Sequence, residues 1–189
     1  MFRVWSRFYD LKLPQQVFYR RVHRRLLARW GPRAGERVLD VGCGTGLFLR
    51  DLASRHALTL TGLDLSHPML ARARANVTGD VGLVQGSVYA LPLAAGAFDV
   101  VLNTISAHFY LDQTAAFREV GRVLVPGGRF FCAVLTSVVG RSLTVGPAIY
   151  HPRAAVAGHL RAAGLEVVHE ERLFPGTTLF EARRAATVR

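Results

Sequence analysis

The sequence predicts an α/β domain in which a mostly parallel sheet is covered by helices on both faces. From about residue 37 onward, short apolar runs alternate with amphipathic stretches, the pattern of strands joined by crossover helices. Three alternating glycines stand between the first apolar run and the first amphipathic stretch. The chain has 189 residues, of which 50% are hydrophobic and 20% charged, so it has enough material for a single packed domain.

The predicted elements follow one another in a regular order. Strands are predicted at residues 37–41, 58–63, 81–85, 98–103, 129–135, 165–172 and 177–182. Helices are predicted at about 15–30, 47–56, 66–76, from 112 to the Pro126-Gly127-Gly128 turn, and 152–164. Ser66, Asp112 and Pro152 are the start signals of the last three. Residues 137–150 are a connection to which the sequence assigns no element.

The positive charge is concentrated at the beginning of the chain. The formal net charge is +11, and residues 1–37 hold ten basic against two acidic side chains, a net charge of +8. The rest of the chain is nearly balanced, with 14 basic and 11 acidic side chains. We therefore divide the chain into a basic helical segment, residues 1–35, and an α/β domain, residues 36–189.

The helix predicted at 15–30 has an apolar face and an arginine-rich face. Three roles fit this pattern: a lid over the site with its arginines outward, a contact with an anionic membrane surface, and a structural cover of one sheet edge.

Several classes of protein are excluded by composition. No apolar run approaches the roughly 20 residues of a membrane-spanning helix, and the basic start lacks the apolar stretch of a secretory signal. Cys43 and Cys132 are far apart and have no clustered histidines, so we expect neither a metal site nor a disulfide but two buried thiols of a cytoplasmic protein.

The glycine loop Gly42-Cys43-Gly44-Thr45-Gly46 is the main signal of a ligand site. A loop of this kind after a strand lets the backbone approach a ligand closely, and Asp64, 18 residues after Gly46, can accept the hydroxyls of a ribose. A dinucleotide fingerprint would place its third glycine one position later. Asp40 precedes the loop, where a positively charged amine can be held. The pattern therefore favours S-adenosylmethionine over a dinucleotide or an unliganded loop.

Four motifs in order extend this interpretation to residues 37–135. The runs VLDVGCGTGLFL, GLDLSHPML, LPLAAGAFDVVLNT and FREVGRVLVPGG together resemble the class I methyltransferases of the ubiquinone/menaquinone-biosynthesis type (methyltransferase domain 11). The resemblance implies a Rossmann-like sheet of seven strands whose last strand is antiparallel. It also implies S-adenosylmethionine bound over the first two strand ends.

The resemblance implies a role for particular residues. Gly42, Gly44 and Gly46 would pack beneath the methionine part of the cofactor, with Asp40 near its amine and Asn103 facing the methionine and transfer region. Cys43, within the loop, is a further predicted cofactor contact. Asp64 would hold the ribose and Leu65 would flank the adenine. The remaining predicted cofactor contacts are Met69, Ser87, Val88 and Tyr9. Ser87 stands where the family commonly has an acidic residue, so we expect a weaker hydrogen bond to the adenine.

The catalytic candidates follow the fourth strand. His108 is a candidate general base and Tyr110 a candidate acceptor contact, although a solvent-facing loop histidine fits the pattern at 108 as well. Tyr150-His151 is a candidate for the other wall of the pocket. The run Asn103-Thr104-Ile105-Ser106 lacks the Pro-Pro-aromatic motif of enzymes that methylate exocyclic amines of bases, and Cys132 lacks a Pro-Cys context.

These observations predict in-line transfer of a methyl group from S-adenosylmethionine to a small-molecule or lipid-like acceptor. A catalytic base is optional for such a transfer, because the sulfonium already activates the methyl carbon. Two alternatives stay open: a protein that binds S-adenosylmethionine without catalysis, and a methyltransferase acting on nucleic acid, which the missing Pro-Pro-aromatic and Pro-Cys motifs disfavour.

Overall fold

Strands and helices alternate along almost the whole chain. The computed structural model describes residues 13–186, with side chains from residue 17 onward. The helices are α1 (Leu13–Trp30), α2 (Leu47–Ala53), α3 (His67–Asn76), α4 (Gln113–Val123) and α5 (Arg153–Ala162), with one 3-10 turn at Ala107–Phe109. The strands are β1 (Arg37–Val41), β2 (Thr59–Asp64), β3 (Val81–Gln85), β4 (Phe98–Thr104), β5 (Leu124–Leu135), β6 (Leu143–Val145), β7 (Ala148–Tyr150), β8 (Leu165–Phe174) and β9 (Thr177–Arg184).

Seven of these strands form one sheet in the order β3-β2-β1-β4-β5-β9-β8. Neighbours from β3 to β5 are parallel, whereas β9, the last strand of the chain, is antiparallel to both β5 and β8. This confirms the predicted sheet. Because the strand order reverses between β1 and β4, the connections after these two strands diverge and leave a crevice at their carboxyl ends.

The core has two layers, one on each face of the sheet. Strand residues contribute to the layers alternately, as the two-residue period of a strand requires: Val38 faces one layer and Leu39 the other. Helices α4 and α5 cover the first layer through residues such as Phe117 and Leu160. Helices α1 and α2 cover the second through residues such as Leu26 and Leu49.

Helix α1 lies across the sheet in the direction opposite to the parallel strands. At its end, the Trp30 carbonyl accepts a hydrogen bond of 2.9 Å from Arg129 at the start of the paired part of β5. Near its beginning, the ring of Phe18 packs 5.8 Å from that of Phe174, the last residue of β8. The first turns of α1 therefore lie at the carboxyl edge of the sheet. None of the described helices is long and apolar enough to span a membrane.

Three details of the sequence prediction are corrected. Helix α2 ends at Ala53, before residue 56. Helix α4 ends at Val123, and Leu124 already pairs with Phe98, so Pro126-Gly127-Gly128 lies in an irregular start of β5 and does not end the helix. The unassigned connection 137–150 contains a hairpin, β6–β7, whose strands are only three residues long and therefore carry little periodic signal.

We expect the substitution Leu26→Ala to lower the free energy of unfolding by about 2–5 kcal/mol, because Leu26 is fully buried between α1 and the sheet. Val17→Ala is the control on the same helix and should change it by less than about 0.5 kcal/mol, because that side chain is 47% exposed. Urea unfolding followed by circular dichroism measures both. Equal small losses would mean that α1 is not part of the folded core.

Candidate active site

The glycine loop stands at the carboxyl end of β1 and is tied to β2. The amides of Gly42 and Cys43 both donate to the carbonyl of Leu63, at 2.7 and 3.0 Å. Gly42, Gly44 and Gly46 have positive φ angles of 77°, 54° and 73°, a region that side chains disfavour. Only glycine adopts such φ angles at little cost in free energy. The three glycines within five positions are therefore what allows this loop to form.

Asp64 is fixed against this loop by two backbone hydrogen bonds. One carboxylate oxygen accepts from the amide of Gly44 at 2.9 Å, and the other accepts from the amide of Ser66 at 2.8 Å. Burial raises the pKa of Asp64, and these two hydrogen bonds oppose the rise. Each oxygen keeps a second lone pair, so the carboxylate can still accept two hydroxyl groups.

Asp40 is the second acidic group of the site and is only 1% exposed. Its Oδ1 atom has no hydrogen-bond partner in the described part of the chain. Burial, together with the nearby charge of Asp64, raises the pKa of Asp40 to about 7. A buried carboxylate oxygen without a donor is costly, so the arrangement favours a ligand that brings a cation or an N–H group to it.

A hydrogen-bonded group of three side chains supports the loop from the β4 side. The Asn103 amide nitrogen lies 2.9 Å from the Val41 carbonyl, 2.6 Å from Ser106 Oγ and 2.7 Å from the Tyr110 hydroxyl. The Asn103 amide oxygen accepts from the amide of Ala107 at 3.2 Å. Asn103 therefore holds the loop through protein groups, and its predicted contact with the cofactor stays a prediction.

The chain reverses between Asn103 and Ser106 through a strained residue. Ile105 is buried, is branched at Cβ, and has a φ of 56°. Such a conformation is an outlier for this residue type and persists only where the surroundings impose it. This backbone conformation places Ser106 over Gly42. A Cβ atom added to Gly42 would overlap the Ser106 hydroxyl and lie 2.9 Å from the Cβ of Ser106.

The predicted adenine side of the site consists of residues after β2 and β3. Leu65 is 70% exposed, which leaves an apolar surface open beside Asp64. The Ser87 hydroxyl accepts from the amide of Tyr89 at 3.2 Å, and Val88 and Met69 are buried.

Cys43, within the glycine loop, is also buried. Burial raises the pKa of its thiol, so this side chain packs and does not react.

His108 is not the solvent-facing loop histidine that the sequence also allowed, because only 3% of its surface is exposed. It lies in the 3-10 turn after β4 and stacks on Tyr150, with ring centroids 5.5 Å apart and an interplanar angle of 15°. Burial lowers the pKa of His108 to about 4, so the imidazole is neutral at pH 7. Its Nδ1 atom and the Oε1 atom of Gln113 have no partner in the described residues.

The structure therefore brings together most of the predicted residues and separates one pair. Tyr150 packs on His108, whereas His151 bonds with Ser142 at 2.9 Å and packs against His159. Tyr110 is half-buried, and burial raises the pKa of its hydroxyl, which helps to support the loop. Sequence reasoning missed Ser106 and Gln113, since nothing in their spacing shows the reversal at Ile105.

One predicted contact cannot be placed in the site, because Tyr9 lies outside the described residues. Within residues 13–186, no group of three or more metal-binding side chains occurs.

We expect Gly44→Ala to weaken binding of S-adenosylmethionine tenfold or more while lowering stability by only about 1–2 kcal/mol. Its φ is 54°, but no atom lies within 4 Å of the added Cβ, so that atom would occupy space open to a ligand. Gly79→Ala is the matched control, with a φ of 81°, equally open surroundings and a position before β3. It should cost similar stability and leave affinity unchanged in calorimetry. Equal affinity losses in both variants would contradict the loop as the cofactor site.

We expect cofactor affinity to rise as the pH increases from about 6 to 8, because the pKa of Asp40 is about 7 and its carboxylate form attracts the cofactor amine. In the absence of cofactor, we expect the stability of the folded protein to change with pH in the opposite direction to the cofactor affinity. The folded pKa lies above the unfolded value of 3.8, so stability falls as the pH rises from about 4 to 7. Asp40→Asn should flatten both profiles in calorimetry and thermal unfolding. A parallel pH profile in that variant would exclude Asp40 as the titrating group.

Comparison with known proteins relates this geometry to a family. Residues 39–132 match the model of the methyltransferase domain. Nocamycin O-methyltransferase from Saccharothrix syringae is 36% identical over 171 residues, covering 80% of this chain and 59% of that protein. Fatty-acid O-methyltransferase from Mycolicibacterium smegmatis is 43% identical over 99 residues, covering 51% of this chain and 36% of that protein. Demethylmenaquinone methyltransferase from Corynebacterium kroppenstedtii is 36% identical over 112 residues, covering 59% of this chain and 47% of that protein. The chain spans about half the length of the curated relatives it matches.

Solved structures share the fold. A chain from the complex of the Haloferax volcanii Trm112 methyltransferase activator with a methyltransferase superposes with a TM-score of 0.83 at 23% identity, covering 97% of both chains. A Mesorhizobium loti S-adenosylmethionine-dependent methyltransferase superposes with a TM-score of 0.74 at 24% identity, covering 85% of this chain and 96% of that one. The matched domain, the relatives and the sheet order agree with the predicted resemblance. The chain belongs to the class I S-adenosylmethionine-dependent methyltransferases, and S-adenosylmethionine is the cofactor of that family.

Proposed function

We propose that the chain binds S-adenosylmethionine at the glycine loop and transfers its methyl group to a small-molecule or lipid-like acceptor. The observation that carries the proposal is the pair of carboxylates at the loop, of which Asp40 is buried and Asp64 is half-buried. Asp64 is fixed to the Gly44 and Ser66 amides, and Asp40 keeps an oxygen without a partner in the described residues. A ligand with a ribose and an amine supplies what both groups lack.

The residues present fit this cofactor. Asp40 would hold the amine, Asp64 the ribose hydroxyls, and the exposed side of Leu65 the adenine ring. The open space above Gly44 would take the methionine part, because nothing lies within 4 Å of its Cβ position. Ser87 offers a hydroxyl to the adenine amino group, without the charge that a carboxylate would add.

The protein's part in the chemistry would be alignment and exclusion of water. When bound, the cofactor supplies a methyl carbon that its sulfonium already activates, so displacement in line with the attacking atom needs no strong base. Neutral His108 would contact the acceptor as a hydrogen-bonding group. With a pKa near 4 it accepts a proton poorly at neutral pH, which argues for positioning over general-base catalysis.

The relatives support the acceptor class. The proteins named above act, by their names, on nocamycin, on fatty acids and on demethylmenaquinone, all of which are small or lipid-like molecules. The surroundings of His108 suit such molecules, since Tyr150 and Phe109 place aromatic rings against the imidazole. A cytoplasmic location, and the division into a basic segment and a catalytic domain, stay part of this proposal.

We expect Asp64→Ala to lower the affinity for S-adenosylmethionine about tenfold to a hundredfold, because charged hydrogen bonds of this kind contribute about 1.5–3 kcal/mol. Asp99→Ala is the control: that carboxylate pairs with Arg37 at the opposite edge of the sheet and should leave affinity unchanged. Calorimetry with S-adenosylmethionine, its demethylated product and NAD measures the three affinities, and NAD should bind far more weakly. Unchanged affinity in the Asp64 variant would exclude the ribose assignment.

Turnover separates the proposed enzyme from its alternatives. The protein would be incubated with labelled S-adenosylmethionine and with quinols, fatty acids, phospholipids or RNA. Product from one of the first three classes supports the proposal. Saturable cofactor binding without product from any class would favour a binding protein, and methylated RNA would favour the nucleic-acid alternative.

A further inference from the structure

Exposed apolar side chains are concentrated at one edge of the molecule. Within residues 17–186, nine large apolar side chains are exposed. All except Val168 lie at or near the carboxyl edge of the sheet, in loops, in the 3-10 turn, in the β6–β7 hairpin or near the start of α1. Leu65 belongs to the cofactor site and the Tyr89 hydroxyl accepts from the Leu111 amide. The other six, which we call the apolar rim, are Val17, Phe109, Leu111, Val138, Val139 and Val145.

The elements that carry the rim contact one another or their neighbours at this edge. The β6–β7 hairpin, which carries Val145, lies against the 3-10 turn that carries Phe109. On the other side, Val138 lies 4.0 Å from the Cβ position of Gly176, so the loop after β5 contacts the turn between β8 and β9. Single exposed apolar residues are ordinary, but a clustered set of aliphatic side chains as open as Leu111, at 78%, marks an interaction surface.

Arg141 adds a positive charge to the rim. It is exposed between Val139 and Val145 in the sequence and forms no ion pair with a described residue. Among the described loops that leave this edge, Asp112 is the only carboxylate, and it caps α4 by accepting from the amide of Ala115 at 2.9 Å. The rim therefore combines apolar side chains with uncompensated positive charge.

An arginine groove adjoins the rim. It has a volume of about 240 Å³ and is lined by Arg21, Arg24 and Arg25 of α1 and by Leu173 and Phe174 at the end of β8. Arg25 pairs with Glu171, whereas Arg21 and Arg24 form no ion pair with a described residue. Two free guanidinium groups above an apolar floor fit an anionic group attached to a hydrocarbon chain.

We infer that the apolar rim and the arginine groove dock the protein onto a lipid bilayer with anionic headgroups. The valines and Leu111 would enter the interfacial region, while Arg21, Arg24 and Arg141 contact headgroup phosphates. A nucleic acid fits less well, because it offers phosphates and stacking bases but no apolar phase for aliphatic side chains.

The docking places the predicted acceptor site against the membrane. His108 and Phe109 adjoin in the same 3-10 turn, so the rim adjoins the side of the site at which an acceptor would enter. An acceptor with an apolar chain would pass from the bilayer to the site without crossing water. Only this entry route rests on the proposed function, since the docking itself requires no turnover.

Sedimentation with vesicles of phosphatidylcholine, with and without phosphatidylglycerol, tests the docking on the full chain. We expect binding to the anionic vesicles that weakens with added salt, and little binding to the neutral ones. The double variant Arg21→Glu/Arg24→Glu should bind at least about tenfold more weakly, from about 1 kcal/mol for each arginine near the surface. Val138→Ser/Val139→Ser should weaken binding several-fold at the same charge.

Matched variants on other surfaces control for charge and composition. Arg74→Glu/Arg161→Glu removes the same charge in the last turns of α3 and α5, at the amino edge of the sheet, and Val168→Ser changes the exposed valine in the middle of β8. These variants should retain most vesicle binding. Thermal unfolding and calorimetry with S-adenosylmethionine verify that each variant folds.

The inference is overturned if the protein ignores anionic vesicles, if neutral vesicles bind it equally, or if the control variants lose as much binding as the rim and groove variants. RNA binding that depends on Arg21 and Arg24, with no vesicle binding, would assign the groove to nucleic acid and overturn it too. Intact cofactor binding with no vesicle binding refutes the docking alone. Vesicle binding with no cofactor binding refutes the proposed function and leaves the docking standing.

Discussion

The close approach of Gly42 to Ser106 is the contact on which the site depends. Strands β1 and β4 are neighbours in the sheet, and the two loops that follow them begin side by side at the carboxyl edge before they diverge. Where they begin, they approach so closely that no room remains for a side chain at Gly42. Asn103 then fixes the Val41 carbonyl below the loop. The close approach of the two loops therefore requires both the missing side chain at Gly42 and the unusual backbone conformation of the buried Ile105.

The electrostatics of the site follow from this packing. Because Asp40 is buried and lies near the half-buried Asp64, its charged form is disfavoured and its pKa rises to about 7. Such an arrangement lowers the stability of the empty protein and favours a cationic ligand. Part of the free energy of cofactor binding would come from relieving this unfavourable state. The site is preorganised by the backbone hydrogen bonds to Asp64, and not by a cationic side chain.

The sequence could predict those features that local rules determine. The glycine loop and Asp64 were found because positive φ angles require glycine and because the acid ends a strand at a fixed distance from the loop. The sheet with its antiparallel last strand followed from the family resemblance and is confirmed. The group formed by Asn103, Ser106 and Tyr110 was missed because it depends on the reversal at Ile105, which no residue preference indicates. The burial of His108 was missed because it depends on Tyr150, which lies in a hairpin too short to show periodicity.

The arginines of helix α1 contribute to the fold to different extents. Its apolar face is part of the core, and His23 stacks on Phe48 of α2, the helix that follows the glycine loop, with ring centroids 3.9 Å apart. Arg25 and Arg29 contribute to the fold by pairing with Glu171 and Glu181. Arg21 and Arg24 have no such role among the described residues, yet they repel one another on one surface at a cost in free energy. The docking inferred above would give both guanidinium groups anionic partners at the carboxyl edge.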